Sequence, residues 1–357
     1  MERLDNILDS IKSPDEAFFK KAREQLNKMA IPRGSLGRLE EFAQRIVAIT
    51  GTLRPEIRNK KVVVFAGDHG VVEEGVSAFS QEVTMQMVYN FNRGGAGINV
   101  LSRQVGADVI VVDIGVAGDL RPEEGLLLKK VAKGTRNMTK GPAMSREEAL
   151  KALLIGVDLA YDLKSQKVDI LGTGDMGIGN TTPSSAITAV LTGEVVEKVT
   201  GRGTGINNKM LANKIEVIRK AIRKNQPNPD DPLDVLSKVG GFEIAGIAGL
   251  IIGSAFHKMP VVIDGFISTT AAMVAVSMNA AIKGYIFASH QSVERGHKVL
   301  LKHLKQKPML NLSMRLGEGT GAVLGIGLIE SGVRIINEVL TFDEAGVREA
   351  VQSCADF

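Results

Sequence analysis

The chain has 357 residues, of which 44% are hydrophobic and 24% charged, a composition typical of a globular protein whose length allows two domains. Its formal net charge of +4 comes from scattered basic residues, and no basic stripe alternates with aromatic residues, so nucleic-acid binding is not expected. The single cysteine, Cys354, excludes an internal disulfide and a cysteine-based zinc site.

The two ends of the chain show helical patterns and no strand pattern. Within the first 60 residues the pattern predicts two helices, at about residues 14–29 and 36–49, and the last 15 residues are again helical. We therefore expect residues 1–60 and 340–357 to form a small helical domain. It would lie beside an α/β domain of residues 61–339.

The sequence predicts neither a secretion signal nor a membrane span. Its N-terminus is charged and amphipathic and lacks the apolar core of a signal peptide. The long uncharged stretch at residues 266–282 carries Ser, Thr and Asn side chains, which predicts a buried helix instead of a transmembrane one. A cytoplasmic location is the resulting expectation.

Short apolar runs rich in Val and Ile alternate with helical patterns through the middle of the chain. Runs without strict polar alternation predict strands buried on both faces, and the intervening helices predict right-handed crossovers between parallel strands. We therefore expect an α/β fold with an open, mostly parallel, six-stranded Rossmann-like sheet flanked by helices. The ligand crevice of such a sheet lies at the carboxyl ends of its strands. The runs are residues 62–65, 109–112, 168–171, 261–263, 285–287 and, more weakly, 309–312.

A glycine-rich segment, LGTGDMGIGNTTPSSA at residues 171–186, follows the third run. Asn180 and Thr181 stand where a helix N-cap is expected, and Pro183 falls in the first turn. Free backbone N–H groups and the positive end of the helix dipole favour an anion at such a loop, usually a phosphate. A tight turn with nothing bound is the alternative, but the glycine content favours the anion site.

The same segment also matches the dinucleotide fingerprint G-x-G-x-x-G through Gly172, Gly174 and Gly177. That fingerprint requires an acidic residue about 20 positions further on, at the end of the next strand. Glu194 lies near that distance but precedes the next apolar stretch, and Asp175 inside the loop would repel a pyrophosphate. An NAD-type oxidoreductase is therefore an alternative function and not the favoured one.

Glu318 stands between two glycines, immediately before a long apolar helix. A carboxylate in the first turn that complements the helix dipole is one explanation, but it requires no flanking glycines. A base that must approach a flat substrate does require them. Anchoring in the core would also desolvate the carboxylate and raise its pKa, which makes it a better proton acceptor. From the residues alone, the two explanations are equally favoured.

Lys214 lies on the apolar face of a helix predicted at about residues 208–222. Its ammonium either reaches solvent past that face or binds a buried anion, of which a phosphate is the obvious candidate. The five histidines show no metal-ligand spacing, so no metal site is expected. His69 and His290, at strand ends, are candidates to shape the crevice.

Six segments occur in one order along residues 32–340: PRGSLGRLE, FAGDHGV, GDMGIGNTTP, KVGGF, IDGF and MRLGEGTGA. Together they resemble the nicotinate-nucleotide:5,6-dimethylbenzimidazole phosphoribosyltransferase family of cobalamin lower-ligand assembly. The resemblance implies transfer of a phosphoribosyl group from nicotinate mononucleotide to 5,6-dimethylbenzimidazole, giving α-ribazole 5′-phosphate and nicotinate. It implies no metal or organic cofactor, and it implies a homodimer.

The resemblance also implies roles for individual residues. Glu318 takes the proton from the benzimidazole nitrogen, which attacks C1′ with inversion. The loop acid, often Glu in this family, is Asp175 here, one methylene shorter, so its catalytic role is secondary, in stabilising the sugar. A nucleotide-binding sensor without chemistry is the remaining alternative, and Glu318 argues against it. The implied contacts to nicotinate mononucleotide are Gly174, Gly177, Asn180, Thr181, Gly203, Lys214, Asp264, Ser292 and Gly317, with Lys214 and Ser292 at the phosphate. The implied contacts to the benzimidazole are Ser80, Met85, Gln86 and Leu316.

Overall fold

The computed structural model describes residues 1–348 and contains a six-stranded sheet in which every neighbouring pair of strands is parallel. Its order, β3-β2-β1-β4-β5-β6, is that of a doubly wound fold. The Rossmann-like prediction is therefore confirmed. The strands are β1 Lys60–Gly67, β2 Asp108–Gly115, β3 Leu126–Leu128, β4 Ile170–Met176, β5 Val261–Ile263 and β6 Ile286–Ala288.

The sixth strand of the sheet is not the one predicted. It is β3, a three-residue edge strand, and residues 309–312 contribute only an isolated bridge between Leu310 and His290. Extended structure ends there because the backbone of Ser313 turns into the left-handed region, with φ of 56°. The short edge strand is hard to detect because Leu126 alone of its residues is buried and two lysines follow it.

Helices cover both faces of the sheet, as expected for a doubly wound fold. The predicted buried helix at residues 266–282 is confirmed as α12 followed by a 3₁₀ turn, Ala280–Tyr285. No described helix is both long and apolar enough to cross a membrane. The α-helices are α1 Glu2–Ser10, α2 Glu16–Leu26, α3 Arg38–Thr50, α4 Glu82–Asn92, α5 Gly97–Val105, α6 Arg146–Ser165, α7 Thr181–Thr192, α8 Val196–Val199, α9 Asn208–Asn225, α10 Pro232–Val239, α11 Phe242–Phe256, α12 Phe266–Met278, α13 Arg295–His303, α14 Thr320–Glu338 and α15 Phe342–Ala345; a second 3₁₀ helix is Gly70–Glu74.

The chain ends meet on one side of the sheet. Buried side chains of α2 and α3 form a small cluster with Ile336 of α14, and Met29 pairs with Thr341 in an antiparallel bridge. The two predicted N-terminal helices correspond to α2 and α3. A third helix, α1, precedes them and was not predicted; Leu4 is its one buried residue. The proposed domain boundary stays a prediction, and the helix expected beyond Arg348 lies outside the described residues.

Candidate functional site

Loops at the carboxyl ends of the strands enclose a cleft of about 680 Å³, part of it open to solvent. It lies beside β1 and β4, where the strand order reverses, which is where ligands bind in open α/β sheets. Six separate stretches of sequence meet there. The predicted residues that line the cleft are Asp175, Gly177, Asn180, Thr181, Gly203, Ser292, Leu316 and Gly317.

The glycine-rich loop joins β4 to α7 and lies tightly on β1. A Cβ at Gly177 would come within 2.2 Å of the carbonyl oxygen of Gly67, so only glycine at this position lets the loop pack this closely on the end of β1. Asn180 holds the predicted N-cap position but makes no capping hydrogen bond; its Nδ2 donates instead to Asp175 Oδ2 at 2.9 Å. The turn therefore leaves the first N–H groups of α7 free of a side-chain cap.

Lys214 is linked to the cleft by a hydrogen bond to Thr181. It is buried, which rules out the extension into solvent considered above, and its Nζ donates to Thr181 Oγ1 at 2.6 Å. Burial lowers the pKa of Lys214 from 10.5 to about 8, against the opposing effect of the Glu294 carboxylate. Thr181 lines the cleft and Lys214 does not. The ammonium thus stands directly behind a hydroxyl that faces the cleft.

Glu294 is a residue of this region that the sequence did not indicate. Its Oε1 accepts the backbone N–H of Gly203 at 2.9 Å, while its Oε2 has no hydrogen-bond partner among the described residues. A Cβ at Gly201 would lie 1.9 Å from that Oε2, so the loop of Gly201 and Gly203 wraps closely around the carboxylate. The repeated GxGTG pattern at residues 201–205 was visible in the sequence, but its acidic partner lies 91 residues away.

Glu318 adopts an unusual backbone conformation. Its φ is 64°, and those of Gly317 and Gly319 are 82° and 92°, so three consecutive residues lie in the left-handed region. Glycine tolerates this region, whereas glutamate is strained in it. The flanking glycines are thus explained by the path of the chain, which turns Glu318 back toward the N-terminus of α5.

Glu318 is buried, with 6% of its surface exposed, and it does not line the cleft itself, whereas its neighbours Leu316 and Gly317 do. Oε2 accepts a long hydrogen bond from Ile98 N–H in the first turn of α5, at 3.4 Å. Burial raises the pKa of Glu318, and the nearby Asp264 raises it further, while the Ile98 N–H opposes both. This is the direction that the sequence predicts, and it makes the carboxylate a stronger proton acceptor.

The loop of Glu318 packs directly on β4. A Cβ at Gly174 would lie 2.5 Å from the carbonyl oxygen of Glu318, so Gly174 supports the loop from behind and does not line the cleft. A Cβ at Gly317 would lie 3.3 Å from Asp175 Oδ2. The loops that carry Asp175 and Glu318 therefore touch each other at one wall of the cleft.

Asp175 is surrounded by other acids. Burial raises its pKa well above the ordinary value of 3.8, and the charges of Asp264, Glu243 and Glu318 add to this, while the amide of Asn180 opposes it. Its Oδ1 has no hydrogen-bond partner among the described residues. Asp175 therefore favours the neutral acid and has one oxygen free for a ligand.

A buried ion pair, His69 with Glu243, lies beneath the glycine-rich loop. Glu243 Oε1 is 2.9 Å from His69 Nε2, and a Cβ at Gly177 would come within 3.2 Å of that same nitrogen. Burial lowers the pKa of His69, but Glu243 and Asp68 raise it more, so the net shift is upward. Glu243 was missed in the sequence, although a lone acid at the start of the apolar helix α11 is a pattern that could have indicated it.

The predicted contacts to the benzimidazole are only partly brought together. Leu316 lines the cleft, whereas Ser80 and Gln86 are exposed and do not. Met85 packs its sulfur against Gly118, in the loop after β2. These three residues therefore stay predictions. Their helix is nevertheless tied to the site, because Thr84 Oγ1 accepts the N–H of Ile178 at 3.1 Å.

His290, a candidate to shape the crevice, lines the cleft, and further lining residues to which the sequence assigned no role are Ser77, Thr204, Gly265, Glu294 and Arg315. Asp264, which the resemblance places at the substrate, is instead fully buried behind the Glu318 loop. Within residues 1–348, no group of three or more His, Cys, Asp or Glu side chains is arranged to hold a metal ion.

Comparison with known proteins gives a match over almost the whole chain. Residues 11–347 match a family model described as Phosphoribosyltransferase. A protein of Geotalea uraniireducens named nicotinate-nucleotide--dimethylbenzimidazole phosphoribosyltransferase is 58% identical over 349 residues, which is 98% of this chain and 99% of the relative. A protein of the same name from Chloroflexus aurantiacus is 51% identical over 98% of this chain and 100% of the relative.

The fold matches a solved structure equally well. The crystal structure of CobT from Thermus thermophilus superposes with a TM-score of 0.90 at 44% sequence identity. The match covers 94% of this chain and 100% of that one. Similarity in sequence and in fold therefore extends through the loops that build the cleft.

Proposed function

The chain belongs to the phosphoribosyltransferase family that its sequence resembles, and we propose that it transfers the phosphoribosyl group of nicotinate mononucleotide to 5,6-dimethylbenzimidazole. The products are α-ribazole 5′-phosphate and nicotinate. The names of the relatives support this reaction. The single observation that carries the mechanism is Glu318, a buried carboxylate of raised pKa on a strained loop whose residues Leu316 and Gly317 line the cleft.

Glu318 acts as the general base. One benzimidazole nitrogen forms a bond to C1′ while the bond from C1′ to the nicotinate nitrogen breaks and its electron pair returns to that nitrogen. The proton on the other benzimidazole nitrogen passes to Glu318, which leaves the product nitrogen neutral. The raised pKa of Glu318 brings its proton affinity closer to that of the donor, which favours transfer in the transition state.

The phosphate lies at the Thr181 end of the cleft. Thr181 and Ser292 offer hydroxyl groups there, and the N-terminus of α7 contributes its dipole; Gly203 shapes this end of the cleft, since its N–H is already bound by Glu294. Lys214 adds a positive charge behind Thr181 and polarises its hydroxyl toward the ligand. A cation next to a phosphate site favours the bound dianion, and its burial strengthens that effect.

Asp175 contributes to binding of the sugar. Its free Oδ1 and its contact with Gly317 support a position next to the ribose. Because its raised pKa favours the neutral acid, it acts as a hydrogen-bonding group instead of a full negative charge. Stabilisation of a cationic sugar by this residue is therefore weaker than the resemblance alone implies.

A turnover assay tests the proposal. The purified protein is incubated with nicotinate mononucleotide and 5,6-dimethylbenzimidazole, and released nicotinate and α-ribazole 5′-phosphate are measured by liquid chromatography with mass detection. Both products should appear in equal amounts. Binding of nicotinate mononucleotide without either product would favour the sensor, and the oxidoreductase is set aside because relatives along the whole chain carry a transferase name.

We further propose that the protein acts in the cytoplasm as a homodimer, as the resemblance implies. Nicotinate mononucleotide is small and charged, which suits an enzyme dissolved in the compartment where this substrate is made. Analytical ultracentrifugation at micromolar concentration should give a single species of about twice the chain mass of 38.2 kDa. A species of one chain mass would contradict the dimer and leave the proposed reaction untouched.

A further inference from the structure

We propose that Asp264 is a positioning residue for the general base: it holds the backbone next to Glu318 in the left-handed conformation that sets the direction of its carboxyl group, and it does not touch substrate. The inference rests on the proposed role of Glu318. It also assigns to Asp264 a different role from the substrate contact that the resemblance implies.

Both side-chain oxygens of Asp264 accept hydrogen bonds from the start of α14. Asp264 follows β5 and is fully buried. Its Oδ2 accepts the N–H of Gly319 at 3.0 Å, and its Oδ1 accepts the N–H groups of Gly321 at 2.7 Å and Ala322 at 3.3 Å. These N–H groups belong to the helix start, where intrahelical partners are missing, and the N-cap Gly319 has no side chain to satisfy them. Asp264, which directly follows β5, therefore supplies the capping acceptors that Gly319 lacks.

The hydrogen bond to Gly319 fixes the peptide that follows Glu318. Glu318 has φ of 64°, a conformation that a glutamate leaves readily unless its neighbours hold it. Asp264 holds this peptide through the Gly319 N–H, and β4 supports the other side, where Gly174 contacts the carbonyl oxygen of Glu318. The two contacts determine the backbone direction of Glu318, and thereby where its carboxyl group points.

Asp264 is in turn locked in place from all sides. Thr173 Oγ1 of β4 accepts its backbone N–H at 3.4 Å, and Ser289 Oγ donates to its backbone carbonyl at 3.4 Å. His290 Nδ1 lies 3.7 Å from Oδ1, and a Cβ at Gly321 would come within 1.9 Å of that ring. A side chain enclosed in this way has no free face for a substrate.

The charge of Asp264 also acts on the base. Burial raises the pKa of Asp264, while the N–H groups of the helix start favour its charged form, and Asp264 in turn raises the pKa of Glu318 and of Asp175. Replacing Asp264 by a neutral residue removes a negative neighbour, so Glu318 should lose its proton at lower pH. The acid limb of the kcat profile should then move to lower pH, a change that a purely structural defect would not cause.

The variant Asp264→Asn tests the inference. Asn keeps the size and one acceptor, but its NH₂ group cannot accept an N–H bond, so either the Gly319 bond or the helix-start bonds are lost. We expect kcat to fall about 10- to 100-fold, the effect of displacing a reacting group by about an ångström. KM for nicotinate mononucleotide should stay within about twofold of wild type. A rise in KM with kcat unchanged would mean a substrate contact and would overturn the inference.

A double variant separates positioning from general loss of structure. If Asp264 acts through Glu318, Asp264→Asn should lower kcat less than about twofold further in the Glu318→Gln background, because the two changes act on one function. The same fold-loss in both backgrounds would overturn the inference. The matched control is Asp231→Asn, the same change at the N-cap of α10, where Asp231 Oδ1 accepts the Asp234 N–H at 3.1 Å; this residue does not line the cleft, so kcat should be unchanged.

If Asp264→Asn does not fold, the variant Asp264→Glu tests the same inference. It keeps the charge but displaces the acceptors, so kcat should fall while the acid limb of the pH profile stays in place. Unchanged kcat in Asp264→Glu, with wild-type thermal stability, would overturn the inference. Failure of the proposed function looks different, because then the wild-type protein itself releases no nicotinate.

Discussion

The ammonium of Lys214 lies 2.6 Å from the hydroxyl of Thr181, so the charge reaches the cleft through a neutral oxygen. The lysine is buried and its pKa is lowered to about 8 by burial. Among the described residues its Nζ hydrogen-bonds to the neutral Thr181, and the Glu294 carboxylate is the charge that opposes the lowering of its pKa. A bound phosphate would supply the missing negative charge, which leads to the first two predictions.

Lys214→Ala should weaken binding of nicotinate mononucleotide by about 1.5–3 kcal/mol, the usual contribution of a charge-assisted hydrogen bond. Affinity for the benzimidazole should change much less, because that ring carries no phosphate. Isothermal titration with each substrate measures both values. Lys220→Ala, which changes an exposed lysine of the same helix, is the control and should match wild type. Equal losses for both substrates would contradict the assignment.

Binding of nicotinate mononucleotide should also weaken as pH rises above about 8, where Lys214 loses its proton. The wild-type protein and Lys214→Ala should therefore converge in affinity between pH 7 and about pH 9.5. A titration series in this range checks the prediction. A constant difference between the two proteins would mean that Lys214 acts by packing and not by charge.

Glu318→Gln should lower kcat by about 10²–10⁴-fold, because Gln keeps the shape but cannot accept a proton. Both substrates should bind almost normally, as for an interaction made mainly in the transition state. Initial rates at saturating substrate measure the effect. Near wild-type turnover would show that Glu318 only complements a helix dipole.

The same variant should alter stability in a pH-dependent way. Folding raises the pKa of Glu318 above its ordinary value of 4.5, so its protonated form is favoured by the fold. This stabilisation is fully present below pH 4.5 and is lost as pH rises through the folded pKa. Gln has no such dependence, so Tm of the wild type should fall relative to Glu318→Gln between pH 4 and about pH 8. A parallel course of the two Tm curves would contradict the raised pKa.

Gly177→Ala should destabilise the protein by about 1–3 kcal/mol and weaken binding of nicotinate mononucleotide, because its Cβ would overlap the Gly67 carbonyl. Gly141→Ala is the control, since a Cβ there meets nothing within 4 Å and the change should stay within about 0.5 kcal/mol. Denaturant unfolding measures the first effect and titration the second. Equal behaviour of the two variants would show that the loop does not need this close contact.

The sequence predicted the parts of the molecule that have strong local patterns. Five of the six apolar runs became strands of the sheet, and the apolar face of α9 correctly indicated a buried Lys214. Glu318 stood out because the glycines around it reflect a local backbone requirement.

The parts that could not be predicted depend on contacts between distant residues. The edge strand β3 has only three residues, too few for any periodicity. Glu294 meets Gly203 across 91 positions, and Asp264 meets Gly319 across 55, so neither pairing leaves a trace in local sequence. Ser80 and Gln86 were assigned to the benzimidazole site by resemblance alone, and in the structure they do not line the cleft.

Helix α14 connects the base to the chain ends. Its first turn is held by Asp264 next to Glu318, and near its last turn Ile336 is buried among side chains of α2 and α3. Its 19 residues span roughly 28 Å as one uninterrupted helix. A displacement of its C-terminal end therefore tilts the helix and moves its N-terminal end as well. Truncation of α2 and α3 would therefore lower turnover although neither helix lies at the cleft. It would remove the packing around Ile336 and allow α14 to shift, together with the Glu318 loop at its start.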